Sequence, residues 1–159
     1  MSSEFPGRVV ELVNLTTALR TSYERTGRLA DLDEAIELGR QAVDMFPSDG
    51  ADLDPERDAE IDAALDELGL ALRSRFAHAG QSPDLNEAIE VGRRHLMRIP
   101  ADHPDRAMEL ANLGLSLRFR FESAGDPADL DEAVEASRSA VQTIAADDPS
   151  GGRLPSRFL

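Results

Sequence analysis

The stretch "LDELGLALRSRFAHAGQSPDLNEAIEVGR", residues 65–93, decides the fold because the chain of 159 residues contains it in three versions. Residues 12–40 and residues 110–138 follow the same frame without a gap. The three copies share the pattern L-x2-L-x3-L-R-x2-[YF]-x3-G-x3-D-L-x-E-A-[IV]-E-x2-R. Agreement at so many positions predicts a tandem array of one structural unit.

Each copy has the pattern of two helices. Its first half places apolar residues at the spacing of one helical stripe, as in Leu12, Leu15, Leu19 and Tyr23. A glycine follows the aromatic residue by four positions, where a helix end favours the left-handed conformation. These glycines are Gly27, Gly80 and Gly125. A second apolar stripe then begins at Leu32, Leu85 and Leu130.

No segment has the period-two alternation of a half-buried strand, so the chain is predicted to be all-α, with about six helices. We expect one domain over residues 1–159 made of three helix-turn-helix repeats. Repeat 1 covers about 8–47, repeat 2 about 57–100 and repeat 3 about 104–146. An acidic insertion, 48–56, precedes a helix that starts at Pro55. The tail, 147–159, loses the frame.

The frame resembles the tetratricopeptide repeat family. The pair Leu-Gly stands in the first helix at Leu68-Gly69 and Leu113-Gly114, and Ala35, Ala42 and Pro47 have the family's second-helix spacing. The period of about 45 residues exceeds the family's usual 34. It is similar to the long-period variety found beside caspase-like peptidase domains of the CHAT type and in multi-repeat bacterial proteins. The resemblance implies a right-handed α-solenoid with the first helices on its concave surface.

Carboxylates recur at the point where each second helix is predicted to start. Asp31 and Glu34 have the spacing of a capping box, in which an N-cap carboxylate accepts backbone N–H groups. A metal or catalytic site would need ligands that converge on one point, whereas helix caps need one copy per helix start. Recurrence once per repeat therefore favours capping. The predicted caps are Asp31, Glu34, Asp84, Glu87, Asp129 and Glu132.

The family's register also implies which residues face a concave groove. An arginine recurs near the end of each first helix, where a row of guanidinium groups would clamp carboxylates of a bound segment or pair with local acids. Recurrence in every copy favours local pairing. The candidate partner-binding residues are Val13, Thr17, Arg20, Asp66, Leu70, Arg73, Met108, Ala111, Leu115, Arg118 and Phe119. Positions of the carboxylate clamp of chaperone-binding repeats do not match, so that function is rejected.

Composition restricts the partners. A net charge of −14 disfavours binding to nucleic acid or to anionic membrane surfaces, because both attract the basic residues of a protein. The chain has no cysteine, no apolar run long enough to span a bilayer and no basic, apolar leader, which predicts a cytoplasmic protein. We find no nucleophile–base constellation, phosphate loop or metal motif, so no enzyme activity, metal or cofactor is expected.

Two function classes remain. The first is a non-catalytic interaction module or adaptor that binds a peptide or protein segment in the concave groove. The second is a structural element that assembles through its terminal helices, as a homo-oligomer or as part of a longer array attached to an effector domain.

Overall fold

The computed structural model describes residues 5–47 and 53–147, and six α-helices account for most of them. They are α1 (Phe5–Thr26), α2 (Leu29–Asp44), α3 (Pro55–Ala79), α4 (Ser82–Arg98), α5 (Arg106–Ala124) and α6 (Pro127–Asp147). Within those two ranges no residue belongs to a strand. The all-α prediction is therefore confirmed. Of these helices, none has the combination of length and apolar character that crossing a bilayer requires.

The chain divides into two compact units, Met1–His95 and Leu96–Leu159, and the division falls inside α4. Unit 1 contains α1, α2, α3 and most of α4, while unit 2 contains α5 and α6 after the last residues of α4. Each helix pair matches one copy of the sequence frame. The single domain over residues 1–159 and the right-handed solenoid stay predictions.

The core of unit 1 forms where α3 contacts both α1 and α2. Leu32 and Ile36 of α2 are fully buried there, together with Leu68 and Leu72 of α3. Gly39 permits the close approach, because a Cβ at this position would lie 3.3 Å from the Cβ of Leu68. Helix α3 therefore fills the groove between the two helices of the first repeat.

The helix ends predicted from glycine and proline are confirmed. Gly27, Gly80 and Gly125 have φ of 71°, 67° and 76°, a region that costs other residues energy. Their N–H groups each donate to the carbonyl of the aromatic residue four positions earlier, at 2.7 Å. Asp54 caps α3 by accepting the Arg57 N–H at 2.9 Å, and Pro55 is the first helical residue.

The predicted caps of the second helices are wrong. These helices begin at Leu29, Ser82 and Pro127, so the frame aspartate is the third helical residue and the frame glutamate the sixth. The N-cap of α2 is Arg28, which makes no side-chain cap bond. The aspartate amides already donate to the carbonyls three residues earlier, at 3.1–3.2 Å. The residues that were predicted as caps and do not cap these helices are Asp31, Asp84 and Asp129, with Glu34, Glu87 and Glu132.

The aspartates instead tie the two helices of each repeat together. Arg75 donates from Nε and Nη2 to both carboxylate oxygens of Asp84, at 2.8 and 2.6 Å. Arg120 makes the same pair with Asp129, at 2.8 and 2.7 Å. In the first repeat the hydroxyl of Ser22 donates to Asp31 at 2.7 Å. All three donors precede their aspartate by nine residues, so this tie is a repeated structural device.

The pKa values of both arginines reflect these ties. The Asp84 hydrogen bonds raise the pKa of Arg75 against an opposing effect of burial, and Asp33, at 2.9 Å, raises it further. The Asp129 hydrogen bonds raise the pKa of Arg120 in the same way. Both guanidinium groups therefore stay charged wherever the chain is folded.

The insertion residues 48–52 and the tail residues 148–159 lie outside the described residues.

Candidate functional site

The recurring arginine of the first helices has different surroundings in the two units. In unit 1, Arg20 is largely buried and donates from Nε to Glu67 Oε2 at 3.1 Å. Burial lowers its pKa, but the hydrogen bond and charge of Glu67, with help from Glu24, raise it by more. In unit 2, Arg118 is exposed, 3.8 Å from Glu122, and its guanidinium carbon lies 5.3 Å from the centre of the Phe119 ring. Local pairing thus holds Arg20, whereas Arg118 faces outward.

The predicted groove residues of unit 1 do not form one site. Thr17 is half-buried, and its hydroxyl donates to the Val13 carbonyl at 3.0 Å. The hydroxyl proton is therefore used in a hydrogen bond within α1. Val13 lines a separate cavity of about 340 Å³ between α1 and α3, without the other candidates. The remaining candidates of this unit are half-buried on α3, namely Asp66, Leu70 and Arg73.

Unit 2 does bring predicted residues together, in an open groove of about 730 Å³ between α5 and α6. Three of them line this α5/α6 groove from α5, namely Ala111, Leu115 and Arg118. Met108 is exposed outside the lining, and Phe119 is half-buried beside Arg118. The other wall is α6, whose lining residues include Leu130, Ala133, Val134, Ser137, Arg138 and Val141.

Sequence reasoning missed the α6 wall, because its apolar residues belong to the second apolar stripe of the frame, which was not proposed as a binding surface. Leu130, Val134 and Val141 are 38%, 48% and 62% exposed. Their frame equivalents in α2 are Leu32, Ile36 and Val43, which are 0%, 0% and 6% exposed. Leu115, which was among the predicted residues, stands where repeat 1 has Thr17 and repeat 2 has Leu70. It adds apolar surface on the groove side of α5.

The difference between α2 and α6 comes from α3. In unit 1 the groove between the paired helices is filled by α3, which packs on Gly39. In unit 2 none of the described residues fills the equivalent groove, and Ser137 stands at the position of Gly39. Within residues 5–47 and 53–147, the same groove therefore occurs twice, covered in the first repeat and open in the third. Burying such apolar side chains is worth about 1.5–3 kcal/mol each.

The lining of the open groove includes two cationic side chains, one from each helix. Arg118 and Arg138 both line it, and both are exposed. Arg138 lies 3.8 Å from Glu135 on its own helix, a loose contact for an ion pair. An apolar groove between arginines can bury apolar side chains and pair with carboxylates at its rim.

The fold and the groove define an all-α chain built from three copies of one helix pair, with an apolar groove on the third. Comparisons with protein-family models, with curated proteins and with solved structures find no match to this chain.

Proposed function

We propose that this protein is a non-catalytic interaction module that binds an amphipathic α-helix of a protein partner in the α5/α6 groove. The observation that carries the proposal is the exposure of Leu130, Val134 and Val141, whose equivalents in α2 are buried by a helix. An exposed apolar patch in a groove is typical of a protein interaction site.

The expected occupant is a helix because a helix already occupies the equivalent groove. Helix α3 contacts both α1 and α2 and places Leu68 on the small residue Gly39. The α6 wall also offers small residues for close approach, namely Ala133, Ser137 and Ala140. A partner helix would set apolar side chains at i, i+3, i+4 and i+7 into the groove and present carboxylates to Arg118 and Arg138.

The acidic frame residues support a scaffold role over catalysis. Asp84 and Asp129 are buried in bidentate pairs with arginines that join two helices. Asp31 accepts a hydrogen bond from Ser22 at 2.7 Å in the same place. These carboxylates hold the repeat together. A long-period tetratricopeptide solenoid in the cytoplasm is the architecture and location that we propose with this function.

The chain supplies its own test ligand. A synthetic peptide of residues 55–79, the α3 sequence, is expected to bind the α5/α6 groove with a Kd below about 1 mM. A fluorophore on Ala145→Cys, one residue beyond the groove-lining Ile144, reports binding, and the chain has no other cysteine. Its emission should change saturably as the peptide is added.

Two matched controls locate the binding. The same peptide with Leu68→Asp should bind at least about tenfold more weakly, because an unpaired carboxylate would be buried. The labelled chain with Val134→Asp should lose affinity for the unmodified peptide to a similar extent. If the Val134→Asp chain binds as well as the parent, the groove is not the helix-binding surface.

A further inference from the structure

We propose that the helix which occupies the α5/α6 groove is α1 of a second copy of this chain, so that copies associate head to tail. The inference rests on the proposed function of that groove as a helix-binding site. It adds the identity of the partner, which is argued from the outer face of α1 and from the ion pairs inside unit 1.

The outer face of α1 has an exposed leucine where α3 has a buried one. Leu15 is 46% exposed, although the frame assigns it to the apolar stripe. Its equivalent Leu68 is 2% exposed and lies against Gly39 of α2. The residue of the third repeat at the frame position of Gly39 is Ser137, which lines the open groove. Leu15 and Ser137 thus stand at the two positions of a contact that the chain already makes once. Ser137 carries the Cβ that Gly39 lacks, so the two helices would lie a few tenths of an ångström farther apart than α2 and α3 do.

The residues around Leu15 are of types that this chain buries elsewhere. Arg8, Glu11, Leu15 and Ala18 of α1 stand at the frame positions of Arg106, Glu109, Leu113 and Ser116 of α5. The last three of these α5 residues are buried. Glu11, Leu15 and Ala18 are exposed. Helix α1 therefore exposes to solvent a face whose equivalent in α5 is buried.

One ion pair between successive repeats has an equivalent across the proposed interface. In unit 1, Arg40 of α2 donates from Nε and Nη2 to both carboxylate oxygens of Glu87 of α4, at 2.8 and 2.6 Å. This pair joins the second helices of successive repeats, and the Glu87 hydrogen bonds raise the pKa of Arg40. Across the proposed interface the same positions are Arg138 of one copy and Glu34 of the other. Both side chains are exposed.

A contact between two different faces of the same chain is heterologous. Such contacts build rings if the rotation closes and open filaments if it does not. The association should therefore depend on concentration and continue beyond a dimer unless a ring forms.

The test is a disulfide across the interface between chains that otherwise lack cysteine. A Cβ at Gly39 would lie 3.3 Å from the Cβ of Leu68, near the Cβ separation of a disulfide, about 3.8 Å. A chain with Ser137→Cys is mixed with a chain with Leu15→Cys and oxidised mildly. We expect the mixed disulfide to exceed both homodimers at least tenfold, and Val134→Asp in the Ser137→Cys chain to abolish it.

Charge reversal gives an independent readout by sedimentation velocity. The average mass of the unmodified chain should rise with concentration, Arg138→Glu should weaken association about tenfold, and Glu34→Arg on the second chain should restore it. A strict monomer at several hundred micromolar overturns the inference, and so does a cross-link dominated by Leu15→Cys homodimers. If the α3 peptide still binds such a monomer, the proposed function stands and only the partner is wrong. If neither associates, both fail.

Discussion

Replacing Arg75 by Met is expected to lower the free energy of unfolding by about 3 kcal/mol, because it leaves a buried carboxylate unpaired. Asp84 is buried and takes both of its short hydrogen bonds, 2.8 and 2.6 Å, from this one guanidinium. Arg75 also reaches Asp33 of α2 at 2.9 Å, so the substitution loosens two helix contacts at once. Urea denaturation followed by circular dichroism measures the change.

The matched double variant, Arg75→Met with Asp84→Leu, should recover most of the lost stability, because no unpaired charge remains buried. Ser22→Ala removes the equivalent tie of the first repeat and should cost only about 1 kcal/mol, since a neutral hydroxyl donates there. Equal losses for Arg75→Met and Ser22→Ala would show that the bidentate pair has no special weight.

Replacing Ile36 by Ala should cost about 3 kcal/mol. Ile36 is fully buried in the core cluster where α3 covers α2. Removal of its side chain leaves a cavity between helices that pack closely at Gly39. Thermal and urea denaturation both measure this loss.

The control is Val134→Ala, at the same frame position of the third repeat. Val134 is half exposed, and surface substitutions usually change stability by less than about 0.5 kcal/mol. The contrast between the two sites tests whether the α6 face is open when the chain is dilute. A loss above 2 kcal/mol for Val134→Ala would mean that another part of the chain covers this face.

Local rules account for what the sequence predicted correctly. The left-handed glycines and the start of α3 at Pro55 depend on backbone conformation and on neighbours a few residues away. Three copies of the frame also made the helix pairs unambiguous. Tertiary contacts have little influence on these features, so a single sequence is sufficient to predict them.

The role of the frame aspartates depends on a tertiary partner and was predicted wrongly. An aspartate is favourable both as an N-cap and in the first helical turn, since both lie at the positive end of the helix dipole. Asp84 lies in the first helical turn and not at the N-cap, because Arg75 binds it from the preceding helix. The recurrence of arginine nine residues before the aspartate, at Arg75 and Arg120, was the available signal.

The α5/α6 groove itself was not predicted, for a related reason. Ala111, Leu115 and Arg118 were placed in a groove through a family register, and they do line one. The α6 wall was recognised only as part of the second apolar stripe, because a frame position specifies a face of a helix and not what covers it. Val43 and Val141 are the same residue at the same position, and only the first is buried.

Val43 and Val141 allow the most direct test of whether one helix-binding groove is covered in the first repeat and open in the third. Val43→Cys and Val141→Cys are compared for their rates of reaction with a thiol reagent at low chain concentration. The thiol at 141 should react nearly as fast as in the unfolded chain, and the thiol at 43 at least about a hundredfold more slowly. Adding the α3 peptide should slow only the thiol at 141. A thiol at 141 that is protected in the dilute chain, or that the peptide leaves unchanged, would contradict the account.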